Sequence, residues 1–131
     1  MSIRNLSKNS VELEVEVYDE LLKLPFNTSL VGFSMLTEAI IQAVKIGKNA
    51  RLNMCKEIYE KIAIDRNIAV NSVEKAIKMA INSINNSPVP YKDVNCSSML
   101  IKNALLDGKP KHFIMAVCES LRINSLKSQI A

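Results

Sequence analysis

No tryptophan occurs in this chain, which has three glycines, four prolines and a single histidine in 131 residues. So few glycines and prolines argue for long regular elements and few tight turns. Long hydrophobic runs are missing as well. The densest, Ala39-Ile40-Ile41-Gln42-Ala43-Val44, is short and interrupted, well below the roughly 20 apolar residues of a bilayer span. The opening Met1-Ser2-Ile3-Arg4-Asn5 lacks the apolar centre of a secretory signal, so a cytoplasmic protein is expected. The three cysteines, Cys55, Cys96 and Cys118, are odd in number and far apart, and no Cys-x-x-Cys occurs. With one histidine, that spacing argues against a zinc site. Each cysteine sits at an apolar position of an expected helix, which favours buried reduced thiols.

Catalytic chemistry is also missing. His112, between Lys111 and Phe113 at an expected helix start, suits a surface or capping role better than general-base work. There is no glycine-rich phosphate loop and no nucleophile-elbow motif. Glu12, Glu14 and Glu16 point apart on a helix, because steps of two residues do not share a face. No enzyme, metal or cofactor is expected.

What is present is a core. The 48% hydrophobic and 23% charged composition is that of one globular domain. Residues 1–24 carry Arg4, Lys8 and Lys23 against Glu12, Glu14, Glu16, Asp19 and Glu20, so the rest of the chain holds a net +6 of the +4 total. A basic body favours polyanions, although a Lys-, Asn- and Ile-rich composition also fits an AT-rich genome.

An all-α, compact six-helix domain is expected over residues 11–131, after a flexible N-terminus at 1–10. From Val11 to Leu24 the valines alternate with glutamates in a strand period, yet Val11, Val15, Tyr18 and Leu22 also form a helical stripe. Glu, Leu and Lys favour helix, and helix is the reading, ended by Pro25. Asn27-Thr28-Ser29 supplies capping chemistry before a second helix over Leu30–Lys45. A break at Gly47-Lys48-Asn49 precedes a third helix, Leu52–Ile64. Asn85 to Pro90 reads as a loop, Cys96–Leu106 as a fifth helix stopped by Asp107-Gly108-Lys109-Pro110, and Phe113 to about Leu126 as the sixth.

The most informative stretch is Lys56–Asn85. Two helices there are separated by Asp65-Arg66-Asn67. On the second, Val73, Ala76, Ile77, Ala80, Ile81 and Ile84 recur at steps of three and four, while Ser72, Glu74, Lys75, Lys78, Met79 and Asn82 look outward. Asn71 with Glu74 three residues on reads as a capping box. Pattern alone suits an ordinary antiparallel helical pair at least as well as a helix-turn-helix over about 52–85. The short break, the defined start and small or basic outward residues favour the latter.

Residues 17–123 resemble the C-terminal DNA-binding effector domain family of the stage-zero sporulation master response regulator. The similarity runs without gaps from Gly32 to Asn85. It is carried by Gly32-Phe33, Leu36-Thr37-Glu38-Ala39-Ile40, Lys56, Tyr59, Ile62-Ala63, Val73-Glu74-Lys75-Ala76-Ile77 and Ala80-Ile81. Lys109-Pro110, Phe113-Ile114 and Leu121-Arg122 resemble the family's closing helix.

The resemblance implies a helix-turn-helix whose recognition helix, 72–85, enters the major groove of double-stranded DNA. The partners it implies are DNA, a second copy head-to-tail on it, and RNA polymerase or the full-length sporulation regulator, with no membrane. The family's reading positions fall on Ser72, Glu74, Lys75, Lys78 and Met79, and Asn71, Asn82 and Lys56 complete the candidate DNA-binding set. Only Glu74 keeps the family's residue. Arginine stands in the family where this chain has Ser72, Lys75 and Lys78, and histidine where it has Met79. Arginine grips guanine with a planar fork, lysine offers a point charge and serine a short hydroxyl, so altered base preference is expected.

The chain also departs from the family's polymerase-contacting segment, here Asn85-Asn86-Ser87-Pro88-Val89-Pro90-Tyr91. It shortens the segment before Phe113 to Lys111-His112. Only a short acidic helix precedes the effector domain where the family has a phosphoacceptor receiver, so no switching by phosphorylation within the chain is expected. A second reading follows from the missing arginines and the acidic Glu12–Glu20 face: an interaction protein that has lost base reading and binds or titrates the full-length regulator.

Overall fold

Helix is the only regular structure among the described residues of the computed structural model, which are 10–46, 55–84 and 99–130. Six helices follow one another: α1 Ser10–Leu21, α2 Val31–Ile46, α3 Cys55–Arg66, α4 Val70–Asn82, α5 Met99–Asp107 and α6 Pro110–Ile130. The expected breaks at 47–49 and 85–90, Cys96, and the expected flexible residues 1–9 lie outside the described residues.

α2 is the centre of the fold and touches α1, α3, α4 and α6. Its Phe33, Met35, Leu36, Ala39, Ile40 and Ala43 are buried. Thr37 is buried too, and its hydroxyl donates to the Phe33 carbonyl at 2.9 Å, so the polar atom is satisfied inside the helix. Before α2, Asn27 Oδ1 accepts from the Ser29 amide at 3.2 Å and the Ser29 hydroxyl at 2.6 Å, the local turn chemistry that Asn27-Thr28-Ser29 promised. All three phenylalanines of the chain, with Tyr18, form a connected set: Tyr18–Phe33 at 6.0 Å, Phe26–Phe33 at 5.2 Å and an edge-on Phe26–Phe113 at 6.0 Å. They join α1, the turn after it, α2 and the start of α6.

The helical reading of residues 11–24 holds, but its buried face is the other one. Leu13, Val17, Leu21 and Leu24 enter the core, whereas Val11, Val15 and Leu22 are 69%, 52% and 58% exposed. Alternating valines create two interleaved four-residue lines, and the leucine-rich one offers more apolar area to bury. Glu20 comes in with it and is buried beside Lys23 at 3.4 Å, so it does not belong to the outward acidic face. The helix also ends at Leu21, before Pro25 acts.

A second difference concerns α6, which opens at Pro110 rather than Phe113. Proline is favoured at a first helical position, where its missing N–H leaves no bond unmade. Gly108, at φ 77°, turns the chain between α5 and α6, and its amide closes α5 on the Ala104 carbonyl at 3.0 Å.

Candidate nucleic-acid interface

α3 and α4 are joined by a turn of three residues, Asn67 to Ala69. Asn67 sits at φ 56°, in the left-handed region that asparagine tolerates. The Ile68 amide bonds the Ala63 carbonyl at 3.0 Å and the Asn67 amide bonds Ile64 at 3.2 Å, the paired closure of a Schellman motif. Arg66 fixes the end of α3 to α2, donating to the Ser34 hydroxyl at 2.7 Å and lying 3.4 Å from Glu38.

The start of α4 differs from the capping box read from the sequence. The N-cap is Ala69, at φ −75° and ψ 148°, and it has no side-chain cap; Ser72 and Val73 amides bond its carbonyl instead. Asn71 thus lies inside the first turn and makes no box with Glu74. The box failed because the turn geometry set by Asn67 places the N-cap two residues before Asn71. Ala69→Ser supplies the missing acceptor and is expected to stabilise the domain by about 1 kcal/mol, seen as a raised urea midpoint with unchanged slope.

The back of α4 is the stripe read from its periodicity. Val73, Ile77, Ala80, Ile81 and the following Ile84 are buried and Ala76 is half-buried. Each of the large residues contributes about 1.5–3 kcal/mol by leaving water. The approach to α2 is extreme: a Cβ built on Gly32 would lie 1.9 Å from the Ala76 carbonyl oxygen, so the two backbones touch. At its other end, Ser83 accepts from the Asn27 amide at 2.9 Å and donates to the Ala80 carbonyl at 2.6 Å.

The front is bare. Asn71, Ser72, Glu74, Lys75, Lys78, Met79 and Asn82 are all exposed. Asn71, Lys75, Lys78 and Asn82 follow one line along the helix, with Ser72 and Met79 beside it and Glu74 on the opposite flank. None of the charged members forms an ion pair among the described residues. Lys56, the remaining candidate, is exposed on the first turn of α3.

Sequence reading missed the neighbours of this face. A cleft of about 500 Å³ is lined by Asn71, Glu74, Lys75 and Lys78 of α4, Tyr59 of α3, and Lys109, Pro110, Lys111 and His112 at the start of α6. Lys109-Pro110-Lys111-His112 is visibly basic in the sequence, but its position beside α4 is a tertiary fact. His112 Nδ1 lies 2.7 Å from Asp107 Oδ2, which also receives the Lys109 amide on its other oxygen at 3.2 Å. The His112 hydrogen bond, helped by the Lys109 charge, holds the Asp107 carboxyl below its usual range. Tyr59 is 1% exposed and its hydroxyl has no hydrogen-bond partner among the described residues. Burial pushes its phenol above the usual value, and the neighbouring Cys55 and Glu74 push it further. Cys55 and Cys118 are free and buried, and Cys118 is pushed up to about 11 by burial and by Glu119. Among the described residues no cluster of acidic, histidine or cysteine side chains can hold a metal ion, and no helix is long and apolar enough to cross a membrane.

A helix with Lys75 and Lys78 on its bare face, seated on a short turn and a buried stripe, has the layout that helical DNA-binding domains use. The family described as Sporulation initiation factor Spo0A C terminal matches residues 17–120, and the chain belongs to that family. It is a family of DNA-binding effector domains of sporulation regulators, not of enzymes. No curated protein and no solved structure matches the chain.

Proposed function

We propose that the protein is a DNA-binding transcriptional regulator in which α4 is the recognition helix of a helix-turn-helix and lies in the major groove. The observation that carries this reading is the unpartnered outward face of α4 on a helix whose back is packed into the core. Lys75 and Lys78 supply charge to phosphates and guanine edges, Glu74 accepts from cytosine, and Met79, 56% exposed, offers an apolar contact to a thymine methyl. Lysine in place of a forked donor makes base discrimination weaker than an arginine face would give.

The test is fluorescence anisotropy against a duplex bearing the family's recognition box and a scrambled duplex, each at two salt concentrations. Lys75→Ala is expected to cost about 1–3 kcal/mol on the box and to blur the preference. Lys78→Ala is expected to weaken both duplexes and to flatten the salt slope by about one. Unchanged affinity and slope in both variants would refute this assignment.

A second reading rests on α1. Val11, Val15 and Leu22 are exposed beside the exposed Glu12, Glu14 and Asp19, an apolar and acidic face suited to a protein partner. Under this reading the chain binds the full-length sporulation regulator. A heterocomplex formed without DNA on mixing the two proteins supports it, and separate elution removes it.

A further inference from the structure

α1 has a second face that its own core does not use. Leu13, Val17 and Leu21 point inward, and on the opposite side the exposed Val11, Val15 and Leu22 follow one line. Exposed Glu12 and Asp19 border that line on one flank and exposed Glu14 on the other. Ser10–Leu21 holds five carboxylates and no basic residue. Glu14 and Asp19 make no ion pair among the described residues. Single exposed apolar side chains are ordinary, but three in one line between acids form a surface that a partner can cover. With its inner face locked in the core, α1 cannot turn this stripe toward its own molecule.

The cleft between α4 and α6 is the converse surface. Lys75 and Lys78 stand on the α4 side, and Lys109 and Lys111 flank Pro110 on the other. None of the four lysines makes an ion pair among the described residues. Glu74 is the only carboxylate in the lining. Lysine stems are apolar and their heads charged, so these walls can cover an apolar stripe while the heads reach the acids beside it. A volume of about 500 Å³ takes the few side chains of one stripe and not a whole helix, which is about 10 Å across.

We infer that the acid-flanked outer stripe of α1 in one copy of this chain docks into the lysine-walled cleft between α4 and α6 of a second copy. Val11, Val15 and Leu22 form the apolar centre of the contact, and the surrounding carboxylates meet the four lysines. An apolar centre within a rim of matched charge is the layout that fixes partner and register. Because Lys75 and Lys78 line the same cleft, a docked copy covers part of the α4 front. Self-association is then a stored form that cannot engage DNA through α4. Docking itself does not depend on α4 reading DNA; only that competition rests on the proposed function.

The test is sedimentation velocity of the full chain without DNA, across a range of protein concentrations and at two salt concentrations. Concentration-dependent association that weakens with salt is expected. One variant reverses α1 with Glu12→Lys, Glu14→Lys and Asp19→Lys; another reverses the cleft with Lys75→Glu, Lys109→Glu and Lys111→Glu. All six positions are exposed, and melting temperatures confirm that both variants fold. Each variant alone is expected to be monomeric, and an equimolar mixture of the two is expected to associate again. Val15→Ser with Leu22→Ser, which leaves the charge unchanged, is expected to weaken association on the order of tenfold. A wild type that stays monomeric, or association that survives reversal of either surface, overturns the inference. So does a monomeric chain that binds the full-length regulator through α1, since the stripe then belongs to that partner. In a second arm, duplex is expected to dissociate the wild-type assembly. If the assembly maps to the cleft and duplex binds it undiminished, DNA does not lie on α4, which refutes the proposed function and not the docking.

Discussion

Gly32→Ala is expected to be among the most damaging single changes in this domain, at or above the upper end of the 1–3 kcal/mol typical of overpacking. The new methyl would meet the Ala76 carbonyl oxygen at 1.9 Å, and a main-chain atom has no rotamer into which to retreat. Relief requires α4 to move away from α2, and that motion opens the stripe of Val73, Ile77 and Ala80. Urea unfolding should therefore show a large drop in midpoint, and duplex affinity measured on the remaining folded fraction should fall as well. Gly108→Ala is the control. It meets nothing within 4 Å but sits at φ 77°, so its cost is the left-handed penalty alone, about 1–2 kcal/mol. Equal effects at the two glycines would show that the contact between α2 and α4 is looser than this geometry requires.

Phe113→Ala is expected to destabilise by about 3–5 kcal/mol. Phe113 is fully buried in the first turn of α6 and meets Phe26 edge-on at 6.0 Å. Phe26 in turn packs on Phe33, so truncation empties one end of the set that ties α6 to the turn before α2. Phe113→Leu keeps most of the volume and should recover much of the loss. The check is chemical denaturation of both variants, with a lower midpoint and an unchanged slope indicating a cavity and not a changed unfolded state.

The parts of this fold that were legible in the sequence were those with one period and no competitor. On α4 only a single apolar stripe exists, so Val73, Ile77, Ala80 and Ile81 could be placed inside and Lys75 and Lys78 outside without coordinates. α1 offered two interleaved stripes, and the one read from Val11, Val15 and Leu22 lost to the line of Leu13, Val17 and Leu21, which has more apolar area to bury. The start of α6 was hidden because Asp107-Gly108-Lys109-Pro110 carries stop and start signals at once, and proline serves either. The α4 cap failed for the opposite reason, since a good capping residue was present but the turn began the helix upstream of it. For the candidate site, the outward face of α4 was readable from spacing. Tyr59, Lys109, Lys111 and His112 were not, because they reach α4 from α3 and α6 and no local pattern encodes that approach.

The two ends of α4 are held very differently. Its far end is tied through Ser83 to Asn27 and its middle rests on Gly32, while its beginning, at Ala69, has no side-chain tether. Mechanically the helix is a cantilever, clamped along its back and uncapped at the tip that carries Asn71 and Ser72. Small adjustments of that tip cost a few terminal hydrogen bonds and leave the contacts of Ile77, Ala80 and Ile81 intact. Stiffness is thus graded along the exposed face of α4, from a compliant start to a rigid end.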